Sequence, residues 1–191
     1  NKEKYNIRVV NISVGRVDEN KEGEDSVLVK GVDATWDSGL VVVVAAGNNG
    51  PARMSVTTPG ISRKVITVGA SDDNRQVNIR GTKMVNYSGR GPTIHNVLKP
   101  DVVAPGSNVV SCMSESKRMN MFGYAMRDTY TIKSGTSMST PIVAGAVALL
   151  LERYPELTND QVKQRLLDTS VDVGFDKEKQ GWGQIDISNL I

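Results

Sequence analysis

The chain has 191 residues, the size of one compact domain of roughly 100–200 residues. Its 23 Lys+Arg against 21 Asp+Glu leave a net charge of +2, too near neutral for a nucleic-acid binder or a membrane-surface protein. A hydrophobic content of 39% argues against disorder; Cys112 alone cannot form an internal disulfide; one Cys and one His exclude a Cys/His zinc cluster. The longest apolar runs, 40–46 and 141–151, fall short of the ~18 residues that span a bilayer.

The β-branched run 6–12 predicts a buried strand that meets a glycine turn at Ser13-Val14-Gly15. Residues 16–25 are mostly charged and predict a solvated loop. Over 26–38, Leu28, Val32 and Trp36 share one helical face, and Gly39 suits the position after a helix end. The run 40–46 is apolar throughout rather than alternating, which suits a central parallel strand covered on both faces. Strand, helix and strand in this order make a βαβ unit with a right-handed crossover. A loop at 47–51 and a turn at 57–60 follow, then a strand over 65–68 ended by Gly69 and a polar loop over 72–78. Short strands are predicted at 102–103 and 109–112, and a Met-rich loop over 114–128. A helix over 137–154 is apolar nearly all round, which predicts burial; Ala144, Gly145, Ala146 and Ala148 would let a neighbour approach, and Pro155 stops it. A second helix over 158–169 carries a Thr158/Gln161 capping box and the stripe Val162, Leu166, Leu167. Residues 181–186 predict a turn and a last short strand. The whole predicts an α/β fold of three layers, a mainly parallel sheet with helices on both faces.

Two places carry chemistry-bearing side chains. Ser134-Gly-Thr-Ser-Met-Ser-Thr-Pro141 sets several hydroxyls before a helix, whose unpaired N–H groups and partial positive charge can stabilise an oxyanion. The same residues also serve as ordinary helix caps, with Thr140 as the cap and Pro141 in the first turn; spacing does not choose between Ser134, Ser137 and Ser139. Asn48 follows the Val-rich strand at the end where open α/β sheets bind ligands, and its amide is an oxyanion donor or a turn asparagine. A dinucleotide-binding fold is unsupported, since Ser13-Val-Gly-Arg-Val17 lacks Gly-x-Gly-x-x-Gly.

Val41 to Pro51 (VVVVAAGNNGP) resembles the oxyanion-asparagine segment of the subtilisin-like serine proteases, and Ser134 to Gly145 (SGTSMSTPIVAG) resembles the segment around their nucleophile. Thr58-Pro-Gly60, Val65 to Ala70, Tyr87 to Thr93 and Lys99 to Gly106 stand between them in the family's order. Residues 5–8 and 160–166 resemble the AprX-like bacterial branch. The resemblance implies a serine endopeptidase acting on polypeptides, with Ser137 as nucleophile and Asn48 as oxyanion donor beside the Ser137 backbone N–H. It implies that Ser13, Val14 and Gly15 pair with substrate and form one wall of the specificity pocket, with Ala45, Ala46 and Gly47 as the other. Small wall residues imply room for large apolar side chains.

Two members of the family's triad, an Asp and a His, have no match. The chain opens on Asn1 without an initiator Met, and its only histidine, His95, sits in a predicted loop without the family's His-Gly-Thr-His context. Residues 1–191 therefore match the C-terminal portion of one catalytic domain, truncated on its N-terminal side. Such a chain is expected to be inactive alone, to partner the missing N-terminal half, and to self-associate through its cut side. A catalytically dead regulatory relative is the alternative. No cofactor is implied for this chain; the resemblance implies that calcium can bind the longer protein, since the family's strongest calcium sites usually draw on the missing half. Gly60, Ser62 and Asp101 keep part of a weaker cation pattern, and no metal is assigned. A lone thiol fits a cytoplasmic enzyme, but secreted members also lack disulfides, so the compartment stays open.

Overall fold

The computed structural model describes residues 1–18, 22–113, 118–119, 125–126 and 130–191. Four parallel strands form the central sheet in the order β1 (Val9–Ile12), β2 (Val41–Ala45), β3 (Ile66–Ala70), β6 (Val102–Ala104). Every side chain of β2 and β3 is buried. Side chains alternate between faces along a strand, so a wholly buried strand needs cover on both. Helix α1 (Val27–Asp37) packs on β2, while α2 (Thr136–Arg153) crosses all four strands. Helix α3 (Asn159–Asp168) packs against α1: the Trp36 indole donates to Asp160 and the Asn159 amide to the Trp36 carbonyl.

Several predicted elements stand where the sequence puts them. The Ser26 hydroxyl caps α1, Gly39 follows it at φ +86°, and Thr158 and Gln161 close the reciprocal capping box of α3. Others differ. Asn6 lies at positive φ and β1 starts only at Val9; its residues are half-buried or exposed, because among the described residues β1 ends the sheet with one edge unpaired. On α1 the core takes Val29, Val32 and Trp36, while Leu28 faces solvent. Both registers are helical, and periodicity alone does not choose between them. Helix α2 begins at Thr136 behind an uncapped Gly135, so Thr140 is no cap; its hydroxyl donates to the Thr136 carbonyl within the helix. Nor is α2 buried all round: Pro141, Gly145, Ala148 and Leu149 are exposed. Leu167 is only half-buried.

The polar stretch after β3 contains a hairpin of β4 (Val77–Ile79) and β5 (Thr82–Met84), turned by Arg80 and Gly81, both at positive φ. This is the two-residue turn that matches strand twist, here without the Asn-Gly or Asp-Gly that usually announces it. Strand β7 (Val109–Cys112) pairs with β10 (Tyr130–Lys133), and β8 (Arg118–Met119) with β9 (Ala125–Met126). The rest of the predicted 114–128 loop lies outside the described residues. Residues 181–186 make only single-residue bridges through Gln184 to Val103 and Val171, leading into α5 (Ile187–Leu190) after the short α4 (Lys177–Gln180). They cover the outer edge of β6: Val103 donates to the Gly183 carbonyl, and Ile185 donates back to that of Val103.

Candidate active site

Adjacent parallel strands end side by side, so the segments leaving β1 and β2 share one rim of the sheet. Ser13 to Gly15 leave β1 there, and Gly47 and Asn48 leave β2, turned by the φ of +91° at Gly47. The start of α2 meets this rim. The Ser137 hydroxyl donates to the Ser13 carbonyl at 2.9 Å. Asn48 Oδ1 accepts from the Thr136 N–H at 2.9 Å and from the Thr136 hydroxyl at 3.2 Å. With its oxygen occupied, the amide presents Nδ2 as donor. Gly135 closes the arrangement: a Cβ there would stand 3.1 Å from Asn48 Nδ2, and its φ of +132° suits glycine.

Thr136 ties the two halves together. Its hydroxyl also accepts from the Gly47 N–H at 3.1 Å, so one buried side chain fixes both the turn and the amide. Sequence reasoning passed over it; the only signal was its place between Gly135 and Ser137. The Ser137 N–H lies in the first turn of α2, where no carbonyl of the helix can reach it. A backbone N–H and a fixed amide thus converge beside a serine hydroxyl, the donor set that holds an oxyanion.

A cleft of about 650 Å³ opens at this point, with Ser13, Val14, Gly15, Ala45, Gly47 and Asn48 on its lining together with Thr57 and Ser137. Ala46 is fully buried and contributes no lining surface. The hairpin borders the cleft as well, through Ile79, Arg80, Thr82 and Met84, none of them anticipated. Between the two expected walls stands Thr57. A Cβ on Gly15 would collide with the Thr57 hydroxyl, and one on Gly47 would meet that hydroxyl and the Thr57 methyl. The glycines thus make space for the Thr57 side chain, which lies against both segments.

His95 occupies the Thr93–Val97 turn against Gly23 and lines no part of the cleft. Gly60, Ser62 and Asp101 are each committed to protein partners. The Gly60 carbonyl accepts from Thr67, Ser62 donates to Asp33, and Asp101 pairs with the ammonium groups of Lys99 at 2.6 Å and Lys163 at 3.3 Å.

Residues 2–183 match the model of the subtilase family, Peptidase S8. The chain is 41% identical over 174 residues to serine protease AprX of Bacillus subtilis, covering 89% of this chain and 39% of that protein. It is 34% identical over 181 residues to subtilisin DY of Bacillus licheniformis, covering 94% of this chain and 55% of the relative. It therefore spans between about two fifths and just over half of these relatives. Among solved structures, a psychrophilic protease named S41 superposes with a TM-score of 0.71 at 28% identity, over 97% of this chain and 59% of the other. The prenylagaramide maturation protease PagA shares the fold at a TM-score of 0.71 and 24% identity, over 100% of this chain and 62% of the other.

Proposed function

The chain belongs to the subtilase family of serine peptidases, and we propose that it supplies the nucleophile and the oxyanion hole of an endopeptidase whose acid–base residues lie outside these 191 residues. One observation carries this reading: the Ser137 hydroxyl and the Asn48 amide open on the same cleft, with the amide oriented by Thr136. In this mechanism Ser137 Oγ attacks the carbonyl carbon of a peptide bond. The carbonyl oxygen takes up the negative charge and accepts from Asn48 Nδ2 and the Ser137 N–H. The hydroxyl proton must leave as the bond forms. In this chain it is directed at the Ser13 carbonyl, which is no base. A serine without a base is a weak nucleophile near neutral pH. We therefore assign activity to the protein that contains this chain together with an Asp and a His, and none beyond oxyanion-hole catalysis to the 191 residues alone. Polypeptide is the substrate class.

The test is hydrolysis of a fluorogenic casein by the longer protein, by its Ser137→Ala variant and by the 191-residue chain. Turnover by the longer protein alone, lost in the variant, supports the reading. A folded longer protein that hydrolyses nothing overturns it in favour of a regulatory relative without catalysis.

A further inference from the structure

We infer that Arg80 and Lys133 make the cleft at Ser137 selective for acidic polypeptides, those with Asp or Glu close to the cleaved bond. The inference rests on the peptidase reading and names the kind of polypeptide that the site takes. Ser13, Asn48 and Ser137 line two cavities, the cleft already described and a neighbour of about 570 Å³ between the hairpin turn and β10. Ile79 and Arg80 are common to both linings as well, so one trough passes Ser137 and continues between hairpin and β10. Each residue of an extended chain advances only ~3.3 Å, so residues near the bond held at Ser137 lie in this trough. Arg80 and Lys133 are the only charged side chains on its lining among the described residues, and both are cationic.

Neither cation is neutralised. Both are exposed, and neither forms an ion pair among the described residues. The carboxylates at the foot of the hairpin are already engaged. Asp72 accepts from the Gly106 and Ser107 N–H groups, while Asp73 accepts from Ser88 and pairs with Lys179 at 2.8 Å. A trough lined by one sign of charge concentrates ligands of the other. Both cations stand on braced backbone. Arg80 holds a φ of +52° at the hairpin turn, a conformation that suits Asn, Asp or Gly and costs an arginine energy. The Gly81 N–H closes that turn on Asn78 Oδ1 at 2.7 Å, and Val77 and Ile79 anchor its first strand in the core beneath. Lys133 pairs with Val109 across the β7–β10 ladder, and the next hydroxyl, that of Ser134, accepts from the Asn108 N–H at 2.8 Å.

The experiment uses the full-length protein and a series of fluorogenic peptides, identical except for Glu, Gln or Lys placed in turn at each position flanking the cleaved bond. At low salt, at least one position should favour Glu over the near-isosteric Gln in kcat/KM by about fivefold, the scale of one exposed charge pair, and should disfavour Lys. In 1 M salt, where screening acts within about 3 Å, the ratio should approach one. The double variant Arg80→Glu, Lys133→Glu should invert the preference toward Lys. Arg80→Gln and Lys133→Gln, which only remove charge, should each lower the Glu-to-Gln ratio and serve if the double variant does not fold. Equal cleavage of Glu and Gln peptides at every position, or a Glu preference that survives these substitutions, overturns the inference and leaves the peptidase reading intact. No cleavage of any peptide, with Ser137 unlabelled by a fluorophosphonate, overturns both.

Discussion

The Thr136 hydroxyl faces two ways, donating to the Asn48 amide and accepting from the Gly47 N–H. Replacing it with the near-isosteric valine leaves the Asn48 oxygen with the Thr136 backbone N–H as its one hydrogen bond among the described residues. On the proposed peptidase reading, Thr136→Val in the longer protein should lower kcat by about tenfold with little change in KM, since the oxyanion exists only in the transition state. Complete loss of the donor sets the upper bound, roughly 10²–10³ in kcat, a value that comes from subtilisin itself and is carried over. Steady-state kinetics on one anilide decide it; a rise in KM at constant kcat would make Thr136 a ground-state contact instead. Single residues were legible unevenly. Motif resemblance singled out Ser137 from Ser134 and Ser139, which spacing could not do. The small residues of both walls were visible, but Thr57 was not, because a buried threonine among turn residues carries no signal of where its side chain points.

Elements explain how the rim is braced. The β4–β5 hairpin reaches the cleft because Ala70, Val77, Ile79 and Tyr87 form a small core of their own beneath it, with Met84 packed against it. Tyr87 is fully buried, its hydroxyl 3.0 Å from that of Ser107, and burial pushes its phenol up to about 12. A phenol that ionises near 10 when unfolded and near 12 when folded stabilises the fold fully below pH 10. That contribution is lost as pH rises from about 10 to 12. Burial acts oppositely on Lys99, pulling it down to about 8, so stability gains between 8 and its ordinary value of 10.5. Comparing wild type with Tyr87→Phe cancels that contribution. Urea midpoints at pH 9 and pH 11.5 should fall less in Tyr87→Phe; equal falls would show that Tyr87 contributes nothing to the pH dependence. The elements that the sequence showed plainly were those with long apolar or capped patterns, β2 and α3. The hairpin was missed because its strands are three residues long, too short for the alternation of Val77, Asn78 and Ile79 to stand out, and Arg80-Gly81 is not a usual turn dipeptide.

At the scale of the molecule, its two sheet edges contrast. Residues 183–185 cover β6, while β1 ends the sheet with half-exposed valines, and the exposed stripe of α2 carries Pro141, Gly145, Ala148 and Leu149. An unpaired edge beside a small-residue apolar stripe favours pairing with more chain. We propose that the preceding part of the catalytic domain packs there. Alone, the 191-residue chain should self-associate through this surface in light scattering, and Leu149→Lys should weaken the association; a monodisperse monomer would contradict the assignment. The α/β class was legible from the unbroken apolar run of β2, which only a doubly covered strand needs. The exposed side of α2 was not, since a mean hydropathy that is high all round does not say which face the rest of the chain covers.

The central claim is that Ser137 is a nucleophile activated by groups beyond these residues. Covalent labelling with a fluorophosphonate, followed by peptide mapping, tests it most directly. An adduct should form on Ser137 in the longer protein, be abolished by Ser137→Ala, and be absent from the 191-residue chain alone. A folded longer protein with Ser137 unmodified would contradict the claim, leaving Ser137 as a residue of a helix start and Asn48 as a turn asparagine.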